Sequence, residues 1–477
     1  MSKTCQRRWA SYDLTTVDIG KGPGSDDVTT DNGKYTYKAC AEIIIDLSTS
    51  KYPTGYTKYT HAPRRVGTGS INPYIGGINH HGTEQRGFGD LDDWNSSLDV
   101  YYLDYDTSRV LPLVIKITRY GYTIYTYTYF NRKEYLAVSD WKRDTTIGND
   151  GDSLTAKLKE ISGSLSDLMV LKIDQVKNGN YYSNGEDKPP EANRDTQVQV
   201  TQSTYETVYN KLTHKLPGKK LRVLSTKSGS TNTPFDLPNV HITPYSEAHV
   251  YFWTGDANHE KPLLISLSSE TSSKHYKYGS GKWKLESGEI NDGNLKQNLD
   301  QENCDRNDAH IVNISYDGGS GYNCPSCGSK WVLVSRYGTR YSYSHHNLAG
   351  SSIRRFKDRD KDQVGLPSLK GTSQVYVYQY PKASGTPLLI YLPYSPNKWY
   401  QRISKTGNEW EKVQGDPPSS PGDPNIFKLL KTINGDKEGL SDGAIAGISG
   451  GVLGGGGVIG LGIWKGHALF SLLKTLF

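Results

Sequence analysis

The sequence predicts an α+β fold dominated by antiparallel β-sheet, made of repeated modules of several strands plus one short helix, with a C-terminal transmembrane helix. Three observations predict it. The chain is rich in tyrosine with period-two patterning, an ordered series of landmarks recurs along it, and a glycine-rich stretch near its end carries no charge.

Tyrosine dominates the aromatic residues, with 35 Tyr against 8 Phe. Tyrosine and threonine suit a half-buried pleated surface, where the ring packs and the hydroxyl stays wet. In Tyr125-Thr126-Tyr127-Thr128-Tyr129 the alternation sends every tyrosine to one side of a strand and every threonine to the other. At 477 residues the chain exceeds one ordinary core, which suggests about three domains. The net charge of +6 is interleaved along the whole length, unlike the one-sided basic face of a nucleic-acid binder. The densest cluster, Arg354 to Asp362, nearly cancels its own charge and is expected to be a solvated loop.

The repeat rests on landmarks in fixed order. A tyrosine-rich approach to histidine comes first, ending at His61, His214 and His345. A short β-type run follows at Val100-Tyr101-Tyr102, Val250-Tyr251-Phe252 and Val375-Tyr376-Val377. Next comes a proline before an apolar strand, at Pro112, Pro262 and Pro387, and then a tryptophan at Trp141, Trp283 and Trp410. After the first two tryptophans an amphipathic helix is predicted, with Leu154, Leu158 and Ile161 on one face and Leu295 and Leu299 on the other copy's. Ser153 and Asn294 are the expected N-caps. Strands over 168–173 and 309–314 come next. The third copy stops soon after Trp410, giving two and a half modules. The landmark histidines, one per module, are expected to be structural.

This organisation divides the chain into an extension (1–39), modules over 40–190 and 191–330, a partial module over 331–414, and a Pro/Gly-rich linker (415–442). Residues 443–464 form the predicted membrane segment and 465–477 a short tail. Gly443 to Trp464 is 22 uncharged residues, enough to cross a hydrocarbon core of about 30 Å as a helix. Gly443, Gly447, Gly451 and Gly455 recur at four-residue steps, which would give a smooth face for helix contact. Trp464 and Lys465 suit the interface. Lysines flank both ends, so orientation is open, and no apolar run follows the basic N-terminal residues. A tail-anchored protein facing the cytosol and a surface protein whose leader lies outside this sequence are both compatible.

Five cysteines are too few for a disulfide scaffold. Cys324-Pro325-Ser326-Cys327 has the spacing of half a zinc site, with Cys304 and His310 near enough in sequence to complete it. A disulfide from Cys304 to Cys324 or Cys327 is the simpler expectation, and no metal or cofactor is assigned. Asn95 and Asn313 head glycosylation sequons, usable only in a secretory lumen. Catalytic patterns fail on context: Gly447-Ile448-Ser449-Gly450-Gly451 matches a nucleophile elbow but lies inside the apolar segment. His259-Glu260 lacks the second histidine of a zinc helix. A non-enzymatic protein is expected.

The tyrosine–histidine approach, the Val-Tyr strand and Lys261-Pro262-Leu263-Leu264-Ile265 resemble a lineage-specific multigene family of piroplasm parasites of the Theileria equi type. Cys304, Ala309-His310 and the Cys324–Cys327 run match it as well, and its modules resemble the domain frequently associated in Theileria. The resemblance spans most of residues 40–477, and the second copy carries it best. The first copy departs from it, since Val110-Leu111-Pro112 lacks the lysine and no Cys-Pro-Ser-Cys follows. It implies secreted or surface-exposed proteins at the host interface, with the bilayer and a host protein or glycan as partners and no known activity. The sequence thus leads to a membrane-anchored surface protein for host contact or antigenic display. A tail-anchored interaction protein is the alternative, and a carbohydrate-binding module or enzyme the third reading.

Overall fold

A computed structural model describes residues 5–8, 12–31, 33–67, 72–89, 91, 94–120, 125–132, 136, 139–148, 150–237, 239–316, 318–371, 374–382, 385–396 and 398–436. It divides into two compact units, residues 1–299 and 300–477. The sheets are mostly antiparallel and the helices few and short. Segment 443–465, with Gly443, Gly447, Gly451, Gly455, Trp464 and Lys465, lies outside the described residues. Among those described, no helix is long and apolar enough to cross a membrane.

The residues from 168 to 285 show the plan of a module most clearly. A small sheet pairs Leu168–Lys172 in parallel with Arg222–Ser228, and the latter with Thr231–Pro234. A large antiparallel sheet runs Gly179–Tyr182, Gln197–Tyr205, Tyr209–Lys215, Glu247–Trp253, Leu264–Ser268, Ser273–Gly279, Lys282–Leu285. The two faces enclose one core, from Met169, Leu171 and Val223 on one side to Val198, Leu212, Val250, Ile265 and Trp283 on the other.

The strands from 309 to 412 repeat this order strand for strand, with the same register and the same bulge. Leu168 opposes Arg222 and the pairing slips after Met169, while Ala309 opposes Ser352 and the pairing slips after His310. The third copy therefore carries both sheets, where the landmarks predict a partial module. The sheets also place the strand after each helix at the start of the next module. The first module likewise begins inside the expected extension, since Tyr12–Asp18 pairs in parallel with Asn72–His80. Strand Tyr125–Arg132 forms as expected, but the side chains of 125–129 are outside the described set.

Three helices follow the three large sheets. Helix α1 (Gly151–Ser164) buries Leu154, Leu158 and Ile161 against Tyr101, Leu103, Leu113 and Val114, and its N-cap is Asp150, which accepts from Ser153 N at 2.6 Å. The cap moves to Asp150 because its side chain reaches the free amide of Ser153, so Ser153 already lies inside the helix. Helix α2 (Leu295–Asn307) buries Leu295 and Leu299. Helix α3 (Asn425–Asn434) arises inside the expected linker and buries Ile426 and Leu430 against Tyr378, Leu389 and Trp399. Apolar residues four apart make that stretch amphipathic once the prolines end at Pro424.

Each module buries one tyrosine–histidine pair between its sheets. The Tyr37 hydroxyl lies 3.1 Å from His61 Nδ1, that of Tyr181 3.0 Å from His214 Nδ1, and that of Tyr322 3.3 Å from His346 Nδ1. His346 holds this place in the third copy, while the neighbouring His345 points to the other face and stacks on Tyr376. All three inner imidazoles are buried, and burial pushes each down to about 3. They fold neutral, yet each takes up a proton near pH 6.5 when unfolded. The unfolded chain thus binds more protons below that pH, and folding stability falls as pH drops from 6.5 towards 3. We expect His214→Gln to flatten the pH dependence of urea unfolding of the first unit between pH 6.5 and 4. The slope should drop by about 1.4 kcal/mol per pH unit; an unchanged slope would contradict the pairing as the source.

Candidate metal centre

Helix α2 ends one residue before the strand Ala309–Asn313 begins, and Asp308 makes the connection in the left-handed region at φ 48°. This tight passage sets the last turn of α2 beside the strand. Asp300 and Cys304, four residues apart, share one helix face. From that turn the Asp308 carboxylate reaches the ring of His310 on the new strand.

Four ligand-type atoms converge there. The sulfurs of Cys304, Cys324 and Cys327 and one ring nitrogen of His310 all lie within 4.8 Å of one another. Cys304, His310 and Cys324 are buried and Cys327 is half-buried. All three cysteines are free thiols, where a Cys304 disulfide is the sequence expectation. The ring of His310 is fixed from both ends: Nε2 meets Asp308 Oδ1 at 2.7 Å, and Nδ1 lies 3.6 Å from Cys327 Sγ. The turn of Cys324 to Cys327 is closed by Gly328 N donating to Cys324 O at 2.9 Å, with Gly328 at φ 67°. Ile311 N donates to Cys324 Sγ at 3.5 Å.

Electrostatics in the cluster favour thiolate at Cys324 and Cys327 and thiol at Cys304. The hydrogen bond between Cys304 and Cys324 is the largest influence on both: Cys304 keeps the shared proton and is pushed up, while Cys324 is held well below the usual thiol range. Burial works to raise Cys327, but hydrogen bonds from Ser329 and the Lys330 amide outweigh it and lower that thiol. Burial works to lower His310, but hydrogen bonds to Cys324 and Asp308 push it up to about 9.

Behind the cluster lies a buried ion triad. Asp300 on α2 pairs with Arg355 and stands 3.5 Å from Arg354, both on the strand Ser352–Asp358. Arg354 also donates to Asp300 O at 2.5 Å, and its side chain is wholly buried. The charge-rich run from Arg354 therefore begins as an interior strand with Phe356 in the core, a correction to the expected solvated loop. Charge alternation hides this strand in the sequence, because its neutralising partner is Asp300, more than fifty positions upstream.

The other predicted site residues lie apart from this cluster. Asn95 is buried, and its amide donates to Leu91 O at 2.7 Å, so a glycan there would have to break the fold's own contacts. Asn313 ends its strand half-buried, with Oδ1 accepting from Ser315. Sequence reasoning missed the aromatic outer face of the third module. Tyr337 stacks on Tyr343 at 5.2 Å and Tyr343 on Tyr378 at 5.4 Å. A second row runs from His345 to Tyr376 at 4.3 Å, Tyr391 at 5.7 Å and Trp399 at 4.6 Å. On the strand Trp331–Tyr337, next to the short edge strand Gly321–Asn323, Trp331, Leu333 and Tyr337 extend it, each about half exposed (49%, 50% and 52%). Period-two spacing in the run from Tyr341 and in Val375-Tyr376-Val377-Tyr378 is the signal that could have found it.

No protein-family model, curated protein or solved structure matches the chain.

Removing Asp300 takes the carboxylate from buried Arg354 and leaves Arg355 only Asp362 at 3.4 Å, and breaking a buried pair in this way typically costs about 3–5 kcal/mol. We expect Asp300→Ala to lower the stability of the second unit by that order in urea unfolding, with Asp300→Asn intermediate. A change under about 1 kcal/mol would show that the triad does not fasten α2.

Proposed function

We propose that the chain is a non-enzymatic recognition protein, held at a membrane by its glycine-rich segment and contacting a host protein through its third module. The aromatic outer face of that module is the observation that carries the reading. At matching register the second module places Lys211, Thr213, His249 and Ser266 where the third has Tyr343, His345, Tyr376 and Tyr391. The first module has Lys58, Thr60, Asp99 and Lys116 at those places. Two copies keep polar side chains at these places and one has exchanged them for rings. Tyrosine and tryptophan on a rigid sheet bring large contact area at little entropic cost, which is the composition of binding hot spots. The resemblance to the piroplasm family supports the host as the source of the partner, and the uncharged segment 443–464 supports the membrane.

Trp331 and Tyr337 are half exposed, so replacing them leaves the core intact. Trp331→Ala combined with Tyr337→Ala is expected to weaken binding of the purified chain to host cells by about 2 kcal/mol or more, roughly thirtyfold. Far-UV circular dichroism should stay unchanged. Undiminished binding would overturn the assignment of this face, and binding abolished by deglycosylating the cells would replace the protein partner by a glycan. A tag beside Pro417 should be lost to external protease on intact parasites; its protection until permeabilisation would overturn surface display.

A further inference from the structure

We propose that Cys304, His310, Cys324 and Cys327 bind one Zn2+ that fastens helix α2 and the loop after Gly321–Asn323 to the first strand of the third module. Among the described residues this is the one place where three or more such side chains converge. Three cysteine sulfurs and one imidazole nitrogen within 4.8 Å of one another match the tetrahedral Cys3His set of structural zinc sites, which the cysteines enter as thiolates, and Cys324 and Cys327 have its two-residue spacing. Sulfur and imidazole donors select zinc over the hard oxygen-loving cations. No water is needed to complete the coordination, so the site is closed and structural in kind rather than catalytic.

The surroundings of the donors point the same way. Asp308 holds the ring nitrogen of His310 that faces away from the sulfurs, which is the carboxylate–histidine arrangement that orients a metal ligand and raises its basicity. A backbone N–H reaches the sulfur of Cys324, as a buried thiolate requires. Ile311 packs with the cysteines in one small buried apolar cluster. A disulfide could consume two of the sulfurs but would leave the third beside a buried imidazole with nothing to bind. Cys40 is disulfide-bonded. Where that bond is stable, three thiols this close survive as thiols best when a metal occupies them.

Comparison within the chain shows what the ion replaces. At the register of His310 the second module has Met169, whose side chain joins the apolar core. At the place of Cys324, two residues past the strand's tyrosine, it has Ser183, and the amide of Val170 donates to the Ser183 carbonyl at 2.7 Å. The matching amide of Ile311 donates to the sulfur of Cys324. Helix α1, ahead of that module, buries Leu154, Leu158 and Ile161. Helix α2 runs out of them after Leu299, and from Asp300 to Asn307 its one apolar-type buried side chain is Cys304. A bound ion supplies the attachment that burial supplies in the other copy, and binding energy of this kind is folding energy.

The purified full chain is expected to carry one zinc per molecule by plasma mass spectrometry. After chelation, Co2+ should restore tetrahedral d–d and thiolate charge-transfer absorption. Cys327→Ser should lose both signals. Because that variant can also fail to fold, Asp308→Asn provides the second measurement. Asparagine tolerates the positive φ of that position, so circular dichroism should be unchanged while metal affinity falls by about 10–100-fold. Chelation should lower the unfolding midpoint of the second unit and leave that of the first in place. Absence of stoichiometric metal, iron in place of zinc, unaltered affinity in Asp308→Asn, or a disulfide between any two of the three cysteines would each overturn the assignment.

Discussion

Everything else in these modules depends on how the last strand of the large sheet returns to the small one. In each copy a tryptophan makes that closure from both its backbone and its ring. Trp141, Trp283 and Trp410 sit buried between the sheets, and their indole N–H groups donate to Gln85, Thr226 and Gln363 at 2.9–3.0 Å. Beside each ring a short parallel bridge joins the sheets, at Arg86 with Asp140, Phe235 with Trp283, and Val364 with Glu409. The approach is so close that a Cβ on Gly87 or Gly365 would lie about 2 Å from the tryptophan carbonyl (1.9 and 2.0 Å), and both glycines have positive φ. A ring this large pays its way only if its polar edge finds a partner, and the glutamine or threonine provides one. Closure then lets the two inner faces enclose a single core and removes one pair of sheet edges from solvent.

The landmarks that reveal the repeat in the sequence are the side chains this closure needs. Tyrosine, histidine, Val-Tyr and tryptophan recur because they face inward, where exchange is costly. The phase of the repeat was harder to see. A strand such as Ala309–Asn313 carries five residues and only a parallel partner more than forty positions away, so nothing local ties it to the module it opens. For the same reason the landmark histidine of the third copy was placed one residue early. His345 and His346 are adjacent and chemically identical, and only the pleat decides which one meets Tyr322.

The cysteine cluster was half legible. Cys324 and Cys327 announce themselves by spacing, and Cys304 and His310 lie within reach in sequence. What the chain alone could not provide was the turn at Asp308, which brings a helix end and a strand start within bonding distance of one loop. The ion triad was less legible still. Arg354 and Arg355 stand in a run of mixed charge, five basic residues with three acidic, and only folding shows that Asp300 pairs with them from a helix. Pairing over long separations leaves no periodic trace, whereas a buried face does.

A constant interior leaves the exterior free to change, and the third module has changed most. Its inner pairings match those of the second residue for residue, yet its outer face carries rings where the second carries lysine, threonine and histidine. Such a face costs solubility unless something covers it, and α3 covers the part nearest Tyr378 and Trp399. The strand Trp331–Tyr337 at the far side remains open, and its inward residues Val332 and Val334 are fully packed. The outer rings are therefore not needed to hold the sheet together. The same module also carries the cysteine cluster at its opening strand and the ion triad on the neighbouring strand Ser352–Asp358. Rigidity in the small sheet and exposed aromatic surface on the large one serve one another: a platform of rings binds well only if the strands beneath it do not shift.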